Sequence, residues 1–253
     1  MEHHSILYEP VNRLLLALLG PPPVARLSPG AAAFFFPDGT KAWIPDMAIM
    51  ALLVMVIFAV LFPLAARRYD RKHPGRVQNF LELIVESIRG LIEDVIGHGS
   101  GKLYLPVIGA FALYIFVANL FGLFFFLQPP TASLSTTVAL AVASFFYFNA
   151  QGIKANGFWG YIKHFLGPVW WLAPLFFVIE IIGNFARILS LSLRLFMNIS
   201  GEHTVTGFFA SLAPILLPWP LMALGLFTAL LQSFIFITLT AVYINLMTAH
   251  EEH

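Results

Sequence analysis

Glu180-Ile-Ile-Gly-Asn184-Phe-Ala-Arg187-Ile-Leu-Ser190-Leu-Ser-Leu-Arg194-Leu-Phe-Met-Asn198-Ile-Ser-Gly-Glu202 decides the fold. Its ionisable and amide residues are separated by 4, 3, 7, 4 and 4 positions. At about 100° per residue, such steps keep to one face of an α-helix. The other positions are mainly Leu, Ile, Phe and Met. A helix this apolar belongs in a bilayer, where a central charge costs at least about 2.5–3.5 kcal/mol. Arg194 lies about 21 Å along the helix from Glu180 and about 12 Å from Glu202, too far to pair with either. Asn119, Gln232 and Tyr243 are the nearest polar groups expected in other spans, and none is anionic at neutral pH. The counter-charge of Arg194 is therefore expected on another subunit. Arg187 is open to two readings: a side chain that snorkels to the cytoplasmic edge, or a working member of the stripe. His203 follows Glu202 but falls off the stripe.

Composition agrees with lipid as the solvent. The 253 residues are 59% hydrophobic and 11% charged, with mean hydropathy +0.82. Soluble domains carry about 25% charged residues. A net charge of +1 gives no pull toward nucleic acid. The lack of cysteine excludes disulfides, thiolate metal sites and cysteine catalysis. No cofactor or metal is called for. Gly97-His-Gly-Ser-Gly-Lys102 imitates a phosphate loop, but its glycine spacing is one short and Leu103 follows the lysine, so no nucleotide site is expected. Asn198-Ile-Ser200 forms a glycosylation sequon that an apolar helix makes unusable.

A crossing helix needs about 20 apolar residues. Working outward, spans are expected at 47–66, 103–127, 132–151, 172–210 and 215–247. The stretch 77–96 places Val77, Phe80, Leu81, Ile84, Ile88, Leu91, Ile92 and Val95 on one face and Gln78, Glu82, Glu86, Arg89, Glu93 and Asp94 on the other. That pattern predicts an amphipathic helix along the membrane surface; docking on another subunit would use the same face. Arg67, Arg68, Arg71, Lys72 and Arg76 form the densest basic cluster. The positive-inside rule puts it in the cytoplasm. Five crossings then leave the N-terminus outside and the C-terminus inside. Lys154, Lys163 and His164 lie on the cytoplasmic side too, and Trp159, Tyr161, Trp170 and Trp171 suit an interfacial belt. The apolar run 14–19, between Arg13 and the prolines at 21–23, reads as a short helix; a cleaved signal peptide is the less favoured reading. Residues 19–40 read as a linker or outer loop. The expected architecture is an all-α polytopic membrane protein. It has an outer N-terminal segment (1–46) and one membrane domain (47–253) with five crossing helices and one amphipathic interfacial helix.

Several motifs resemble one family. Ser190-Leu-Ser-Leu-Arg-Leu-Phe-Met-Asn198 followed by Gly201-Glu202 is similar to the signature of the subunit a family of F-type ATP synthases, as is the spacing of Glu180, Arg187 and Arg194. Asn119-Leu-Phe-Gly122, Pro130–Leu140, Leu231-Gln-Ser-Phe-Ile-Phe236 and Thr238–Ile244 resemble its other membrane helices. Met197 stands where a glycine is usual, Ile188 where a proline is common, and Gly225 where some bacterial members place a histidine. The resemblance implies a stator proton channel in a bacterial-type inner membrane, with the last two helices long and tilted. The implied partners are a ring of c subunits bearing carboxylates and the peripheral-stalk b subunits, with no nucleotide bound. Arg194 would govern protonation of the ring carboxylates. Glu202, Asn198 and Gln232 would line the outer half-channel, with His203 as a substitute for the absent histidine. Glu180, Ser190 and Arg187 would lie nearer the inner one. The rival reading is a stand-alone ion-coupled secondary transporter, but the internal repeats common in such folds are not seen.

Overall fold

The computed structural model describes residues 5–19, 45–67, 69–70, 73, 75–124, 127–166, 170–212 and 218–248. Seven α-helices follow in order: α1 (Tyr8–Leu19), α2 (Asp46–Arg67), α3 (Arg76–Ile96), α4 (Gly101–Leu120), α5 (Leu134–Leu166), α6 (Ala173–Leu212) and α7 (Pro218–Thr248). Three 3-10 turns, Phe121–Leu123, Pro130–Ala132 and Trp170–Leu172, complete the described elements, and none of them is a strand. Of the expected linker 19–40, Leu19 ends α1 and residues 20–40 lie outside the described residues, as do Arg68, Arg71, Lys72 and the polar tail from 249.

Among the described residues, four helices are long and apolar enough to cross a membrane: α2, α4 with the turn that follows it, α6 and α7. The protein is an integral membrane protein on that ground. Side chains such as Leu52, Met55, Val56, Leu61 and Phe62 on α2 are exposed. Hydrocarbon is the solvent that makes such exposure inexpensive, since lipid tails are as apolar as leucine.

Two expected boundaries move. The expected span 103–127 is a helix only to Leu120, continued by the 3-10 turn. The Pro129 ring lies 3.4 Å from where a Cβ on Gly122 would be. Buried Thr131 donates to Asn119 Oδ1 at 2.6 Å, fixing the returning chain. The expected span 132–151 starts two residues later, at Leu134, and the helical run continues beyond 151 to Leu166, 33 residues in all, with a kink between two helical stretches at Gly157 (φ 71°, ψ 165°). Asn149, Gln151, Lys154 and Asn156 lower the hydropathy there without breaking the helix. Gly157 supplies the left-handed backbone that a side chain would resist.

The chain forms two compact units. Residues 1–68, 114–137 and 194–232 make the first. Its core holds Tyr8, Ile49, Met50, Val54, Ala118 and Phe121. Asp46 is buried at the start of α2, where the helix dipole favours a negative charge. It accepts the Ser5 backbone N–H at 2.7 Å and the Ser5 hydroxyl, so the segment leading into α1 is tied to α2.

Residues 69–113, 138–193 and 233–253 make the second unit. Ile88 and Ile92 of α3 join Tyr104, Ile108, Ala112, Phe148, Ile237, Ala241, Ile244 and Met247 in its core. The surface-helix expectation is therefore refined. The C-terminal half of the α3 apolar face packs on its own chain, while Val77 and Phe80 stay 74% and 62% exposed. Asn245 Nδ2 donates to Val95 O at 3.0 Å and Asn156 Nδ2 to Met247 O at 2.8 Å, joining α7 to α3 and α5. Ser144 and Thr240 hydrogen-bond at 3.0 Å in the buried interior.

Candidate proton-path site

Helix α6 is unbroken from Ala173 to Leu212. Leu191, Leu195 and Ile199, four residues apart, are its buried ridge near Arg194. Ser190, Leu193 and Met197 are exposed. The polar stripe runs along the edge between these faces. Arg194 is half-buried. Among the described residues it forms neither an ion pair nor a side-chain hydrogen bond.

In the first unit, the stripe meets α7 twice. Asn198 Nδ2 donates to Gln232 Oε1 at 2.8 Å, and Gln232 is 2% exposed. One turn further, Thr228 Oγ1 donates to Glu202 Oε2 at 2.7 Å. Thr228 and Gln232 are four residues apart, so one face of α7 serves both. The bond gives the buried Gln232 carbonyl a donor in a place where an unpaired acceptor is costly. His203 is exposed and shares none of these bonds.

In the second unit, Glu180, Asn184 and Arg187 join in a cluster. Arg187 Nη1 lies 3.0 Å from Asn184 Oδ1 and 3.4 Å from Glu180 Oε1. The Arg187 guanidinium sits over the Tyr243 ring, 5.3 Å from its centre, a cation–π contact. Arg187 is thus paired with an acid and with an aromatic face. Ser190 is exposed, with no side-chain hydrogen bond among the described residues. The side chains of Lys163 and His164 lie outside the described residues.

Thr228, Asn184 and Tyr243 complete these clusters although the sequence argument named no role for them. Their signal was spacing. Asn184 sits four residues after Glu180, and Tyr243 sits eleven after Gln232. Of the two acids on the stripe, Glu202 has the neutral partner Thr228 and Glu180 has Asn184, whose Nδ2 lies 3.5 Å from Glu180 Oε1, while Arg194 has none among the described residues. Carboxylates in polar niches can take and release protons, and a lone cation can attract a visiting anion.

Fold and site define a class: a helical integral membrane protein in which the longest described helix carries, on one stripe, acids and an arginine without an ionic partner among the described residues. The family model for the ATP synthase A chain matches residues 47–245. ATP synthase subunit a 2 of Syntrophotalea carbinolica is 44% identical over 83% of this chain and 85% of its own length. ATP synthase subunit a of Geobacter sulfurreducens is 42% identical over 78% of this chain and 86% of its own. That of a Sulfurihydrogenibium species is 40% identical over 81% and 98%. The chain belongs to the ATP synthase subunit a family.

Proposed function

We propose that this chain is the non-catalytic stator proton channel of a rotary ATP synthase, working against a ring of c subunits in a bacterial inner membrane. The supporting observation is Arg194, half-buried beside an exposed apolar face and without an ionic partner among the described residues. Ring carboxylates are the partners that the family membership supplies. A guanidinium favours the ionised form of each carboxylate that reaches it. The same charge repels a proton, so it blocks a direct leak between the outer and inner paths.

Protons from outside reach the ring through the Glu202, Asn198 and Gln232 region. The neutralised ring carboxyl then moves away into lipid, where a charged one would be too costly. After nearly a full rotation it gives its proton to the inner path, lined by Glu180, Ser190 and Arg187. Each proton crossing releases about 2.3 kcal/mol per 100 mV, and rotation is the route open to it. Helix α5 is the fifth crossing, with the N-terminus outside. The peripheral-stalk b subunits hold the chain against the torque.

A reconstitution separates this reading from the stand-alone transporter. Liposomes containing the whole complex should acidify on ATP addition, and liposomes containing only this chain should carry no proton current above the lipid background. Proton transport by the isolated chain would favour the transporter.

A further inference from the structure

Gly225 lies inside α7, where glycine destabilises a helix relative to alanine. No positive φ requires it there. The space above it is filled instead by the Glu202 carboxylate. A Cβ at 225 would overlap Glu202 Oε1 and come within 3.0 Å of the carboxyl carbon and of Leu123 Cδ2. The other oxygen, Oε2, is held by Thr228 at 2.7 Å. Thr228 Oγ1 also lies 3.0 Å from the Gly225 carbonyl. One hydroxyl hydrogen thus faces two acceptors.

We propose that Gly225 and Thr228 form a seat on α7 that holds the Glu202 carboxyl group in both its ionised and its protonated state. They are positioning residues for proton transfer. The inference rests on the reading of Glu202 as a proton carrier given above.

The two states follow from donor and acceptor inventories. An ionised Glu202 can only accept, so the Thr228 hydroxyl donates to Oε2. A protonated Glu202 donates its O–H to a lone pair of Thr228 Oγ1. The threonine hydrogen then turns to the Gly225 carbonyl. The Thr228 hydroxyl keeps a partner in both states, so the proton can arrive and leave without breaking the Thr228–Glu202 contact. Gly225 keeps the carboxyl group within reach of Thr228, because a side chain there would push it off. Leu123 walls the seat on a further side. Thr228, Gly225 and Leu123 do not titrate. His203, next to Glu202 on α6, is the neighbouring ionisable group among the described residues.

The test uses the full complex in inverted membrane vesicles. Thr228→Val should lower ATP-driven proton pumping about 10-fold, and Thr228→Ser should stay near the parent rate. Gly225→Ala should cost about 10-fold with the complex assembled, since the overlapping atom is the free end of a flexible side chain. Combining it with Glu202→Asp withdraws the carboxylate by about one C–C bond, roughly 1.5 Å. The double variant should therefore pump faster than Gly225→Ala alone. Parent rates in Gly225→Ala or Thr228→Val, no rescue in the double variant, or equal losses in both threonine variants would each overturn the seat. If Gly225→Ala fails to assemble, the threonine pair still decides. An inactive Arg194→Ala beside active Gly225→Ala and Thr228→Val removes only the seat. An active Arg194→Ala removes the wider channel reading.

Discussion

Arg194→Ala is expected to lower ATP-driven proton pumping at least about 100-fold, the scale seen when one preorganised charge-stabilising group is lost. Assembly and ATP hydrolysis by the rest of the complex should persist. The structure explains why these effects separate. Arg194 has no ion pair among the described residues, so removing it strands none of the acids described there. It removes a cost to folding in lipid rather than a contact. Arg187→Ala contrasts with it. That change leaves Glu180 without its 3.4 Å partner, so its penalty falls on the stability of the cluster as well as on transport. Quenching of an acid-sensitive dye in inverted vesicles reads the pumping, and native electrophoresis reads assembly.

The second large effect is expected at Glu202. Glutamine keeps the size of the side chain and an oxygen that accepts from Thr228. It cannot carry a proton. Glu202→Gln should therefore reduce pumping about 100-fold without loss of assembled complex, within the range attributed to positioned acid–base groups. Passive proton conduction through membranes stripped of the catalytic sector should fall as well. His203→Ala should do far less, because His203 is exposed and outside the hydrogen-bonded cluster. A slow His203→Ala beside a normal Glu202→Gln would transfer the outer role to the histidine.

The 4, 3, 7, 4, 4 spacing on α6 made the site legible, because helix periodicity turns sequence separation into a shared face. The partners of the stripe were less legible. Spacing put Thr228, Gln232 and Tyr243 on one face of α7 but said nothing of which α6 residue each would meet. Gly225 read as a departure from a family pattern, whereas its meaning is spatial: it leaves room for an acid on another helix. Four of the five expected crossings followed from hydropathy; α5 is not among the described helices apolar enough to cross by composition, and two boundaries moved. The end of α4 depends on the Asn119–Thr131 bond and on Pro129, and tertiary contacts leave no mark in a hydropathy window. The length of α5 was hidden because polarity marks where a membrane ends, not where a helix does. For α3, periodicity gave the apolar face but not its division between its own core and open surroundings.

The proposed partner of Arg194 is a carboxylate on the ring. The chain has no cysteine, so single-cysteine variants report without background. Leu193 and Met197 flank Arg194 on the exposed face, at 41% and 61% exposure, whereas Leu191 is 2% exposed. Oxidative cross-linking to a cysteine placed beside the ring carboxylate is the direct measurement. Leu193→Cys and Met197→Cys should form a cross-link to the ring subunit in assembled complexes, and Leu191→Cys should not. No cross-link from 193 or 197, or an equal one from 191, would contradict the account.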